Sequence, residues 1–201
     1  MILATRLILA SGSTARAALL CGAGLAIEIR PAAVDEAEVK RSARGEGVSA
    51  DDTALMLAEL KALRVARANP DALVIGADQL LVCEDRWFDK PVSLAEARSH
   101  LLALRGRSHT LVTAMVVHRG EQRIWQHVAK PRLTMRLFSD AFLDAYLAAE
   151  GTNVLATVGG YRMEGPGVHL FDSVAGEYSA ILGLPLLPLL GFLRQTGALL
   201  A

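Results

Sequence analysis

The sequence predicts an α/β fold, with helices packed on a sheet, and three observations carry that expectation. Hydrophobic residues make up 52% of the 201 residues but aromatics only 5%, so the core must be built mainly from Ala, Leu and Val. That composition suits helices on a sheet. The chain opens with a short apolar run, a Ser-Gly-Ser turn and an Ala- and Leu-rich stretch, which reads as strand, tight turn and capped helix. Residues 72–77 are then a continuous apolar run of strand length. Their Gly76-Ala77-Asp78 end places a carboxylate where strands of α/β folds present ligands. The length suits one large domain or two tightly joined lobes, and residues 1–201 are read as a single cooperative domain.

Lys plus Arg equals Asp plus Glu at 21 each, so no global field attracts nucleic acid or an anionic membrane. Any anionic ligand must be held by a local cluster. Cys21 and Cys83 lie far apart without partners at metal-ligand spacing, which argues against a disulfide framework or a zinc site and for a reduced, cytoplasmic setting. Residues 1–13 contain too short an apolar run for a signal-peptide core. Residues 180–193 are apolar but interrupted by Gly183, Pro185, Pro188 and Gly191. They fall short of the roughly 20 residues a membrane helix needs and read as a buried helix.

In order, residues 6–10 form the first strand, Ser11-Gly12-Ser13 the turn, and residues 15–20 the first helix, closed by Gly22 and Gly24. Residues 27–29 read as a second strand, and the acidic Asp35, Glu36 and Glu38 follow. Residues 40–49, charged and Gly-containing, read as a mobile surface loop. Asp51 or Asp52 caps a helix to about Ala68, with Leu55, Ala58, Leu60 and Ala62 inward. After the 72–77 strand, Leu80 to Cys83 and Trp87-Phe88 pair as a hairpin, and Ser93 caps a helix to Leu104. Residues 109–118 and 122–135 form a long hairpin about Gly120-Glu121. Ser139 or Asp140 caps a helix ending near Glu150. Residues 159–167 form a Gly-dense loop whose backbone can approach a ligand closely, 168–174 form a strand, and Pro185 initiates the last helix.

Ser11 and Ser13 place hydroxyls and N–H groups at a helix N-terminus, where a phosphate is favoured, and Arg16 one turn in could add a bidentate contact. A Ser followed by a helix is more often a plain N-cap. Asp78 can hold a divalent cation or accept a proton from water if Glu36 supplies a second oxygen, or it can be a turn Asp bonded to nearby N–H groups. Lys61 and Lys90 are candidates for neutralising a polyphosphate. The five histidines show no pairing that supports a metal centre or a Ser-His-Asp triad.

Leu9-Ala10-Ser11-Gly12-Ser13, Asp35-Glu36, Lys61-Ala62, Ile75-Gly76-Ala77-Asp78, Lys90-Pro91, Gly106-Arg107-Ser108-His109, the 159–167 loop and Leu182-Gly183-Leu184-Pro185 occur in an order and spacing that resembles the Maf family over nearly the whole chain. The resemblance implies a Maf/Ham1-like mixed sheet flanked by helices with a cleft between two lobes. It also implies an enzyme, often dimeric, that hydrolyses nucleoside triphosphates to the monophosphate and pyrophosphate with Mg²⁺ or Mn²⁺. On that resemblance Asp78 is the catalytic proton acceptor, Glu36 and Asp78 hold the metal, and Ser11, Ser13, Arg16, Lys61 and Lys90 contact phosphates. His109 is read as structural, fixing the strand that follows Gly106.

The specificity positions of the family fall on Ala15, Gln79 and Glu164. Gln79 and Glu164 resemble the branch acting on 7-methyl-GTP rather than the branch acting on dTTP and UTP. A Glu there can accept from guanine N1–H and the N2 amine, and its charge suits a base made cationic by N7 methylation. Ala15 stands where that branch carries Trp, Thr14 where the family carries Pro, Ala17 where a second basic residue is usual, and Glu177 where Asp is common. The alternatives are a dTTP/UTP pyrophosphatase and a non-catalytic nucleotide-binding regulator of cell division.

Overall fold

In a computed structural model, residues 5–200 are described; the first four residues of the stretch read above for a signal peptide lie outside them. Strand β1, Leu7–Leu9, is wholly buried, and Ser13 caps helix α1, Thr14–Gly22, by accepting the Arg16 N–H. Strand, turn and helix therefore occur as the sequence predicts.

Two compact units share the chain. The first contains the segment up to Asp78, Thr113–Ala129 and the segment from Leu182. In it β1 pairs in parallel with β2, Glu28–Ile29, and with β3, Leu73–Cys83. Strands β5, Ser108–Arg119, and β6, Gln122–Ala129, form an antiparallel hairpin, and the order is β2-β1-β3-β5 with β6 off β5. Leu9, Ile75, Met115, Val117, Leu189 and Phe192 lie in one apolar core, where each fully buried aliphatic side chain contributes roughly 1.5–3 kcal/mol.

Three expectations in this unit are corrected. Residues 40–49 are not a loop: helix α2, Glu36–Gly45, occupies most of them, capped by Asp35 accepting the Glu38 N–H at 3.0 Å, with Lys40 and Ala43 buried. The acidic first turn suits the helix dipole, and the charge density that suggests a loop is the solvated face of an amphipathic helix. Helix α3, Ala50–Ala66, is capped by Ser49 rather than by an Asp. It buries Ala54, Leu57, Ala58, Lys61 and Ala62 and leaves Leu60 exposed. The apolar stretch near the carboxyl end is not one helix: it is broken at Gly183 (φ 94°), its first two residues end the helical turn Tyr178–Ile181, and its last part lies in helix α7, Leu186–Gln195, beginning after Pro185.

The second unit contains Gln79–Val112 and Lys130–Ile181. The later half of β3 forms the expected hairpin with β4, Arg86–Phe88. The first part of β5 pairs with β7, Arg132–Met135, and β7 with β8, Phe171–Ala175, all antiparallel. Helix α4, Leu94–Leu104, is capped by Ser93, and α5, Asp140–Glu150, by Ser139. Helix α6 is the single turn Tyr178–Ile181. The 122–135 strand is split, because Pro131 has no N–H for the ladder. The 168–174 strand begins only at Phe171, after a 3₁₀ turn at Pro166–Leu170. Among the described residues no helix is long and apolar enough to cross a membrane.

Candidate active site

Asp78 does not sit in a turn. It lies inside the eleven-residue strand β3 and is 3% exposed. Gly76 precedes it by two residues and so shares its face of the strand. A Cβ on Gly76 would lie 2.1 Å from the Ala58 carbonyl oxygen and 2.8 Å from the Ala62 Cβ, so α3 rests directly on the β3 backbone. The small residues Ala58 and Ala62 permit that approach, and Lys61, beside them, reaches the carboxylate.

Lys61 Nζ donates to Asp78 Oδ1 at 2.5 Å and lies 2.6 Å from Glu36 Oε1. Three elements thus converge: β3 supplies Asp78, α3 supplies Lys61, and the first turn of α2 supplies Glu36. Lys61 is buried, and such an ammonium is retained only where carboxylates compensate the lost hydration. Asp78 Oδ2 is buried and lacks a hydrogen-bond partner among the described residues. A buried orphan acceptor costs about 1–3 kcal/mol, so this atom points to a ligand. Among the described residues no group of three or more His, Cys, Asp or Glu side chains is placed to hold a metal ion; Glu36 and Asp78 are the two carboxylates here that could hold a hard cation, and Mg²⁺ is often bound by one or two carboxylates plus substrate phosphates.

Arg16 is buried and already engaged: Nε donates to the Gly183 carbonyl at 2.8 Å, and Nη1 to the Ala77 carbonyl at 2.7 Å and to Ser11 Oγ at 3.1 Å. Ser11 Oγ also accepts the Ser13 N–H, and Ser13 Oγ caps α1. These groups fasten the turn to β3, next to Asp78. Ser13→Ala is expected to cost about 1 kcal/mol of stability, read from urea denaturation midpoints. Ala15 is half-buried on α1, one residue before Arg16. A cavity of about 430 Å³ lined by Val34, Leu60, Leu63 and Arg64 among others includes none of these groups.

In the second unit, Gln79 is the next residue of β3 after Asp78, and its Nε2 donates to the carbonyls of Ala180 and Ile181 at 3.0 and 3.1 Å. Lys90 is exposed beyond β4. Glu164 is exposed and held by Arg162 Nε at 3.3 Å. Arg162 is a residue the sequence reading passes over; its only signal is a cation two places before Glu164 in a Gly-dense loop.

Two glycines of that loop are required by the protein's own packing. A Cβ on Gly159 would lie 2.5 Å from Leu81 Cδ1, and one on Gly167 would lie 2.2 Å from the Arg162 carbonyl oxygen.

His109 has the structural surroundings expected of it. Its Nε2 is 2.8 Å from the Tyr161 hydroxyl, its ring lies against Tyr161 and Phe171, and burial pushes its pKa down to about 4. The folded state therefore refuses a proton that the unfolded chain accepts below about pH 6.5. The contribution of this neutral imidazole is complete above pH 6.5 and is lost as pH falls from 6.5 toward 4, by up to about 1.4 kcal/mol per pH unit. Urea denaturation of the protein and of His109→Phe between pH 4.5 and 7 checks this: the slope is shallower in the variant.

The chain belongs to the Maf-like protein family, which it matches over residues 6–196. Its relatives include a nucleoside triphosphate pyrophosphatase of Granulibacter bethesdensis, 58% identical over 96% of this chain and 98% of its own. A protein of the same description from Rhodospirillum rubrum is 52% identical over 96% of each. A 7-methyl-GTP pyrophosphatase of Rhizobium meliloti is 48% identical over 96% of this chain and 97% of its own.

Proposed function

We propose that this protein hydrolyses the α–β phosphoanhydride of a nucleoside triphosphate, releasing the nucleoside monophosphate and pyrophosphate. The observation that carries the reading is Asp78: one oxygen is fixed on Lys61, and the other is buried without a partner among the described residues. Membership of a family whose relatives bear pyrophosphatase names supports it.

In the reaction, water attacks the α-phosphorus, the bond to the bridging oxygen breaks, and pyrophosphate departs. Asp78 Oδ2 accepts the proton of the attacking water. Lys61 holds Asp78 and Glu36 in register and, with the Ser11 turn, offsets charge developing on the leaving pyrophosphate. Glu36 and Asp78 would hold Mg²⁺ or Mn²⁺, which supplies Lewis-acid polarisation of phosphate oxygens when bound. Gln79 and Glu164 favour 7-methyl-GTP or another modified purine nucleotide over dTTP and UTP, because a carboxylate accepts from the guanine edge and suits a cationic base.

Pyrophosphate release from a panel of canonical and modified triphosphates tests the reading. The expected result is turnover with Mg²⁺ or Mn²⁺, strongest for a guanine-type base. Chelation by EDTA should take it to background, and the added metal should restore it. Absence of turnover on every nucleotide sinks the proposal.

A further inference from the structure

Glu164 does not hold its place alone. Arg162 lies between two carboxylates: Nη1 donates to Glu150 Oε2 at 3.1 Å and Nε to Glu164 Oε1 at 3.3 Å. Glu150, the last residue of α5, is 5% exposed, so it is a fixed buried anchor, whereas Glu164 is exposed. The backbone around them is pinned as well. The Arg162 N–H donates to the Tyr146 hydroxyl at 3.3 Å, and the Tyr178 hydroxyl donates to the Met163 carbonyl at 3.2 Å. A Cβ on Gly165 would lie 2.8 Å from Glu150 Oε1, so the residue after Glu164 also rests on the anchor.

Helix α6 links the two base-selecting positions of this unit. Tyr178 at its first residue holds Met163, beside Glu164, and the carbonyls of Ala180 and Ile181 at its end hold Gln79. An exposed carboxylate on a loop loses rotamer freedom when it binds a base. Arg162 removes part of that cost in advance, because a guanidinium fork fixes direction as well as charge. Two carboxylates against one guanidinium also leave this cluster with an excess of negative charge, the sign that suits an electron-poor base.

We propose that Arg162 is a positioning residue for base selection, clamping Glu164 against the buried Glu150 so that its acceptor is in place before the nucleotide arrives. The inference rests on the pyrophosphatase reading and on Glu164 as a base-selecting residue. It assigns to Arg162 no contact with substrate.

The test compares kcat and KM for 7-methyl-GTP, GTP and UTP in the protein and in three variants: Glu164→Gln, the double variant Arg162→Met with Glu150→Gln, and all three substitutions together. Removing Arg162 with Glu150 avoids leaving a buried carboxylate unpaired, and Tm confirms that each variant is folded. The ratio of kcat/KM for 7-methyl-GTP over UTP is expected to fall about tenfold or more in Glu164→Gln. It should fall comparably in the double variant, mainly through KM for 7-methyl-GTP, and no further in the triple variant. An unchanged ratio in the folded double variant, or losses that multiply in the triple variant, overturn the positioning role while the pyrophosphatase reading stands. If the unaltered protein turns over none of the three nucleotides, the reading fails and the inference with it.

Discussion

Asp78→Asn is expected to lower pyrophosphate release by about 10²- to 10⁴-fold, the usual contribution of a positioned proton acceptor. The amide keeps the shape of the carboxylate and can still accept from Lys61, but it takes no proton and is a poorer ligand for a hard cation. Lys61 retains Glu36 as a counter-ion at 2.6 Å, so the fold should survive the change. The measurement is single-turnover release at saturating nucleotide and Mg²⁺, alongside circular dichroism to verify folding. A rate within a factor of two of the unaltered protein would remove Asp78 from the chemistry.

Gly76→Ala should act on stability with comparable force. The added carbon would meet the Ala58 carbonyl oxygen at 2.1 Å and the Ala62 Cβ at 2.8 Å. Backbone is the nearer obstacle, so no rotamer change relieves it, and α3 must lift from β3. Overpacking of this kind costs about 3 kcal/mol or more, and it separates Lys61 from Asp78 even in molecules that stay folded. Gly191→Ala is the control: it lies in α7 with nothing within 4 Å of the added carbon, and it should stabilise by about 0.5–1 kcal/mol. Equal urea midpoints for the two variants would mean that α3 does not rest on β3 as described.

Much of the framework is legible in the sequence because it depends on neighbours in the chain. Ser13, Ser93 and Ser139 each accept an N–H three residues on, and that geometry is written in the spacing. The β3–β4 and β5–β6 hairpins follow from two strand-like runs around a short turn. The errors arise where local composition competes with packing. A charged stretch became α2 because Lys40 and Ala43 turn inward, and a run that looked complete at Ala77 continues as a strand to Cys83. The latter changes the site: Asp78 is buried mid-strand rather than in a turn.

The sequence alone determined the inventory: which residues begin and end most helices, which runs become strands, and which carboxylates, lysines and hydroxyls are present in the order of the Maf-like family. Only the tertiary structure decided what those groups do to one another. It set Lys61 between Asp78 and Glu36, gave Arg16 acceptors 5, 61 and 167 residues away, and placed Arg162 between Glu150 and Glu164. Ion pairs and hydrogen bonds act over a few ångströms of space regardless of separation along the chain. Capping and strand propensity act between residues a few positions apart, and so can be read before the chain is folded.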